Sequence, residues 1–133
     1  MYEFVVPGIP IPQGSKQPWG AEVNPHVKAW RQTIAAAATD MIEQPLSGAI
    51  AVAADFIFPR PKNHYGTGRN AEKLKVTAPL WHTHAPDLDK LCRAVGDAFK
   101  GVVVRDDSQI ARWTVVKRYG PRAQAKITVR TLS

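Results

Sequence analysis

Two apolar stripes at helical spacing, set between strand-like runs, leave this chain few ways to fold. Val27, Trp30, Ile34, Ala37, Ala38, Met41 and Ile42 recur at three- and four-residue intervals, which places them on one side of a helix. Pro25 suits a first helical turn and Asn24 a cap, so the spacing predicts a helix over residues 25–43. Leu88, Leu91, Cys92, Val95, Ala98 and Phe99 repeat the pattern up to Lys100-Gly101, predicting a second helix over residues 88–99. Residues 2–7 read as a strand that stops at Pro7-Gly8. Residues 49–58 read as another, with Ile50, Val52, Ala54, Phe56 and Phe58 on one face and Asp55 on the other. Residues 102–104 are expected to be a short strand, and residues 110–119 and 123–132 a hairpin turning at Gly120-Pro121. The resulting order, β-α-β-α-β-β-β, predicts an α/β (α+β) fold: a mixed sheet with two helices packed on one face.

A chain of 133 residues is long enough for one core and too short for two, so residues 1–133 are read as a single domain. No apolar run approaches the ~20 residues of a membrane span. The N-terminus lacks a basic segment followed by an apolar one, so no signal peptide is expected. The single Cys92 cannot form an internal disulfide, which fits a reducing cytoplasm, and it is expected to be a buried apolar residue.

The formal net charge is +7, from 18 Lys and Arg against 11 Asp and Glu. The cations are spread along the chain, which favours a positive folded surface over a basic tail and suggests nucleic acid as the partner. A long loop over residues 59–85 holds Arg60, Lys62, Arg69, Lys73 and Lys75 against one acid, Glu72. With Lys16, in an earlier Pro- and Gly-rich loop, these are the candidate phosphate contacts.

Against this basic background the acids are concentrated. Asp87, Asp89, Asp97, Asp106 and Asp107 account for five of the 11 acidic residues and fall within residues 87–107. Clustered carboxylates repel unless a cation lies between them, and hard oxygen donors suit Mg²⁺ or Mn²⁺ better than zinc. Asp87 and Asp89 can converge if Asp87 is the residue before the helix and Asp89 lies in its first turn. Asp106 or Asp107 can return to the same spot if the strand before them runs beside the helix start. The plainer account makes these residues a cap, a first-turn acid and a polar turn. Asp97 is expected to be exposed or paired with Arg93, a structural role. His82-x-His84 is a weaker zinc pattern, which also leaves open a phosphohydrolase acting on small esters.

The residues Pro86-Asp87-Leu88-Asp89-Lys90-Leu91-Cys92-Arg93-Ala94-Val95-Gly96-Asp97-Ala98, then Gly101-Val102-Val103-Val104-Arg105-Asp106-Asp107-Ser108-Gln109-Ile110, resemble the signature of the RusA-type Holliday junction resolvases. That pattern is roughly P-D-x-D-N-L-x-K-x-x-x-D-A-L, a glycine, a short apolar strand and D-D-x-Q. The resemblance implies a Mg²⁺-dependent crossover junction endodeoxyribonuclease, with Mn²⁺ a possible substitute. It also implies a symmetric homodimer that makes paired nicks in four-way DNA junctions and leaves 5′-phosphates. The setting would be the cytoplasm of a bacterium or phage-infected host. Catalytic carboxylates would be Asp87, Asp89 and Asp107, with Asp106 beside them in the metal set. Two positions depart from the pattern: Lys90 stands where asparagine is usual and Arg93 where a functional lysine is usual. Either could supply the cation at the scissile phosphate. The alternative from another class is a non-catalytic basic DNA-binding module, which leaves the aspartates without a purpose.

Overall fold

Apolar residues at every second position of three strands and on one stripe of two helices close a single core. The computed structural model describes residues 1–14 and 25–132, and Lys16 and Asn24 lie outside them. The elements are β1 (Tyr2–Pro7), α1 (Val27–Thr39), β2 (Ile50–Pro59), α2 (Leu88–Phe99), β3 (Ile110–Gly120) and β4 (Gln124–Thr131). Three short 3-10 turns, Lys62–His64, Gly68–Asn70 and Asp107–Gln109, lie between them. The fold is α+β, with a mixed four-stranded sheet and two helices.

Strand order is β1-β4-β2-β3, with β2 and β3 parallel and β4 antiparallel to both β2 and β1. One row across the helix-facing side runs Phe4, Ile127, Ala54, Val115, and the next runs Val6, Ala125, Phe56, Lys117. Against them α1 buries Val27, Trp30, Ile34 and Ala38, and α2 buries Leu91, Ala94, Val95, Ala98 and Phe99. The Phe4 and Phe99 rings meet at a centroid distance of 6.3 Å, within the range of aromatic pairs.

Three expectations are corrected. Residues 110–119 and 123–132 do not form a hairpin, because β4 crosses the end of β2 and pairs on its far side. Burial explains the order: β2 is apolar on both faces and takes an interior place, whereas β3 alternates with exposed Arg112, Thr114 and Val116 and takes the edge. Gly120 allows the crossing, since a β-carbon there would stand 2.5 Å from Ile57 Cγ2.

Residues 102–104 are a turn rather than a strand. The amides of Val102, Val103 and Val104 all point at Phe99 O, and Gly101 takes a φ of +80°. This is a helix C-terminus closed by a left-handed glycine. Val103 and Val104 are fully buried, which is why their sequence resembles a core strand. The first helix begins at Val27 rather than Pro25 and ends at Thr39, before Met41 and Ile42.

Candidate functional site

Helix α2 supplies half of the site. Asp87 is its N-cap residue, in extended backbone with φ −71° and ψ 143°, and Asp89 is the acid of its first turn. Two residues apart at this boundary, the two side chains diverge. Asp89, Cys92, Arg93 and Gly96 form one stripe at the helical repeat, and that stripe lines a cavity of about 220 Å³ with Asp107, Ile110 and Trp113. Asp87 instead lines a separate, mostly apolar cavity with Ile9, Pro10, Phe58, Pro86 and Lys90. Its Oδ2 lies 3.7 Å from Lys90 Nζ.

Asp107 reaches the cavity because α2 carries no side chain opposite it. A β-carbon on Gly96 would stand 3.8 Å from Asp107 Cβ, 4.0 Å from Asp107 Oδ2 and 3.9 Å from Trp113 Cζ2. The turn that presents Asp107 is held by Gln109. Gln109 Oε1 accepts from the amides of Arg105 at 2.9 Å and Asp106 at 3.2 Å. Its Nε2 donates to Leu46 O and Gly48 O, both at 2.9 Å. Every donor and acceptor of that amide is therefore used.

Asp106 turns to the same scaffold. Its side chain accepts from the Gln109 amide in a capping box, and Ser108 Oγ donates to it. The Ser108 bond, aided by Lys100 at 3.8 Å, holds the Asp106 carboxyl below its ordinary range. A second clamp fixes the approach to α2: Lys117 Nζ, from the helix-facing row of β3, donates to His84 O and Pro86 O at 2.8 Å each.

The cavity's donors fit a hard cation. Burial first, and then the Asp89 charge, pushes the Cys92 thiol up to about 11, so it presents a neutral S–H near pH 7 rather than a soft thiolate. Cys92 is half-buried on the cavity wall, more accessible than its expected place in the core. That leaves two carboxylates, the number with which Mg²⁺ is commonly held while it keeps waters and phosphate oxygens. Among the described residues no group of three metal-capable side chains is assembled, so Asp87 and Asp106 do not join Asp89 and Asp107 in this single chain. Asp97 is partly buried on α2 and does not line the cavity.

His82 serves packing. Its ring stacks on Phe58 at 4.2 Å, lies 5.0 Å from Tyr119 and stands perpendicular to His84 at 6.2 Å. Partial burial, then Lys117 and His84, hold its pKa below the ordinary value. Arg60 is likewise occupied: it donates to Pro79 O at 2.7 Å and lies over the Tyr119 ring. Lys62, Arg69, Lys73 and Lys75 are exposed along the same loop. Trp113 and Lys117 carry no sign in the sequence of belonging to the site, whereas Gln109 is the glutamine of the D-D-x-Q pattern. Gly96 carries a usable signal too, as a glycine seven residues after Asp89 on the same helical face.

The family model described as "Endodeoxyribonuclease RusA" matches residues 10–130. An uncharacterized protein of Bacillus subtilis (strain 168), YqaN, is 27% identical over 140 residues, covering 98% of this chain and 96% of its own length. Among the described residues, no helix is long and apolar enough to cross a membrane.

Proposed function

The chain belongs to the RusA endodeoxyribonuclease family, and from that premise we propose that it nicks four-way DNA junctions in a Mg²⁺-dependent reaction. The observation that carries this reading is the shared cavity of Asp89, Asp107 and Arg93: two hard anionic ligands beside one permanent cation. Asp89 and Asp107 are the assigned ligands, and a third place for Asp87 would require it to leave Lys90 and the separate cavity it lines. Mg²⁺, or Mn²⁺ in its place, would acidify a bound water and screen the charge that builds on the phosphate.

The chain's own groups do the rest. Arg93 faces the same space as the two acids and offsets charge on the phosphate oxygens, a task suited to its planar fork of donors. Lys90, held beside Asp87, neutralises that acid instead. Asp106 acts on Asp107 through the turn they share. Lys62, Arg69, Lys73 and Lys75 track phosphates, so affinity falls steeply with salt. A two-fold homodimer would present two such cavities to opposed strands, giving paired nicks with 5′-phosphates.

The test separates binding from chemistry. Asp89→Asn and Asp107→Asn should each retain junction affinity in EDTA and lose nicking by about 100-fold or more. Nicking near the wild-type rate in either variant would remove that residue from the site. Arg93→Ala should slow nicking more than Lys90→Ala, and the reverse ranking would reassign the cation.

A further inference from the structure

The loop between β2 and α2 carries apolar groups as well as cations, and phosphate tracking leaves them unused. Nine large hydrophobic residues are exposed among the described residues, and four of them, Leu74, Val76, Leu80 and Trp81, lie within eight positions. Val76 is fully exposed and Trp81 is 55% exposed. Large apolar side chains turned to water along one loop offer contacts that the folded chain itself does not use. Lys73 and Lys75 alternate with them and Arg69 stands just before, against the single acid Glu72. A surface both apolar and cationic suits a ligand with anionic links and flat apolar faces. Two copies of this loop brought together would repel one another.

Trp81 is presented on rigid backbone. Tyr119 N donates to Leu80 O at 2.8 Å and His82 N to Lys117 O at 3.3 Å, which adds residues 80–82 to the free edge of β3. His82 is thereby turned onto Phe58 on the helix side, and Trp81 stands on the opposite face beside Arg118, its antiparallel partner. Lys117, next to that pairing, also holds the carbonyl before Asp87. Trp113, in the wall of the acid cavity, is on the same edge strand, about 16 Å along it from Arg118 and on its helix-facing side.

We propose that Trp81 is a base-stacking surface that takes unstacked nucleobases of branched DNA. This rests on the nuclease reading above. It assigns the preference for a branch over continuous duplex to this loop rather than to the acid cavity. A branch point offers base faces that a continuous duplex keeps stacked, and an indole turns about only two side-chain bonds, so stacking on it loses little side-chain freedom.

The experiment compares wild type, Trp81→Ala and Trp81→Phe for binding to a four-way junction and to a linear duplex of equal length. It is run in EDTA over a salt series, with 2-aminopurine at the branch and the fold of each variant checked by circular dichroism. Trp81→Ala should lose about tenfold in junction affinity with little change on duplex, and Trp81→Phe should keep most of it. The salt slope should be unchanged in both. The 2-aminopurine response seen with wild type should be lost in the alanine variant. Equal loss on both DNAs, or no loss on either, overturns the assignment, as does a wild-type dimer that Trp81→Ala turns into a monomer. If wild type binds neither DNA, the nuclease reading itself fails. Tight junction binding that is indifferent to residue 81 sinks only the stacking surface.

Discussion

Replacing Gln109 tests whether the turn that carries Asp107 is held as described. Gln109→Leu keeps the volume and removes four hydrogen bonds. An ordinary intramolecular bond is worth about 1 kcal/mol net, but groups that water can reach recover much of that. Only the bond to Leu46 O lies in partly buried surroundings, so the expected loss is about 2 kcal/mol, or roughly 6–8 °C in Tm for a domain of this size. Gln109→Glu should be worse, by about 3 kcal/mol at pH 7. It keeps both acceptor bonds but sets a carboxylate oxygen against the carbonyls of Leu46 and Gly48. Those carbonyls disfavour the ionised form, so the introduced carboxyl has a higher pKa folded than unfolded. The deficit is then smallest below the unfolded value of about 4.3 and grows as pH rises through the folded one. Thermal melts at pH 4 and pH 7, each paired with wild type, measure this. Junction nicking by Gln109→Leu should fall by about 100-fold, because a displacement near 1 Å is enough to spoil a reacting geometry. A glutamate variant as stable as wild type at pH 7, or one whose deficit grows on acidification, would refute the clamp.

Three further expectations are open to direct measurement. Gly96→Ala fits at ordinary contact distance and should raise stability by up to about 1 kcal/mol through helix propensity. It should also slow nicking, because its methyl enters the acid cavity; a thermal melt and a nicking assay check both signs. Cys92, with its thiol pushed up to about 11, should alkylate slowly at pH 8, and faster in Asp89→Asn, where one cause of the elevation is gone; equal rates would separate the two side chains. His82, whose folded pKa lies below its ordinary value of 6.5, binds its proton more readily when unfolded. Its contribution is therefore present above pH 6.5 and lost as pH falls below it. The drop in Tm from pH 7.5 to pH 5.5 should be smaller in His82→Phe than in wild type.

Much of this arrangement was legible in residue spacing. The core faces of both helices and of β2 follow from their periods, and Pro86 marks Asp87 as the residue before α2. Even the sorting of the two cations could be read: Arg93 is one helical turn after Asp89, and Lys90 nearly one turn after Asp87. Strand order could not. Alternation fixes which face a residue takes but not which strand lies beside it, so Gly120-Pro121 suggested a hairpin where the chain crosses β2. Val102-Val103-Val104 misled because buried β-branched residues look the same in a strand and in a turn sealed on both sides. Lys117 was invisible for another reason: its partners are backbone carbonyls far away in the chain, which no local pattern reveals, and the D-D-x-Q pattern names Gln109 without revealing its bonds to Leu46 and Gly48. The same holds for Asp106, whose role depends on where Ser108 and Gln109 point.

The most direct test is to incubate the purified protein with an end-labelled four-way junction and a matched linear duplex, each with and without Mg²⁺. Symmetric nicks in the junction alone, and only when Mg²⁺ is present, are the expected result. A junction that stays bound and uncut across a full range of Mg²⁺ and Mn²⁺ concentrations would contradict the account and leave Asp89 and Asp107 as surface acids on a DNA-binding protein.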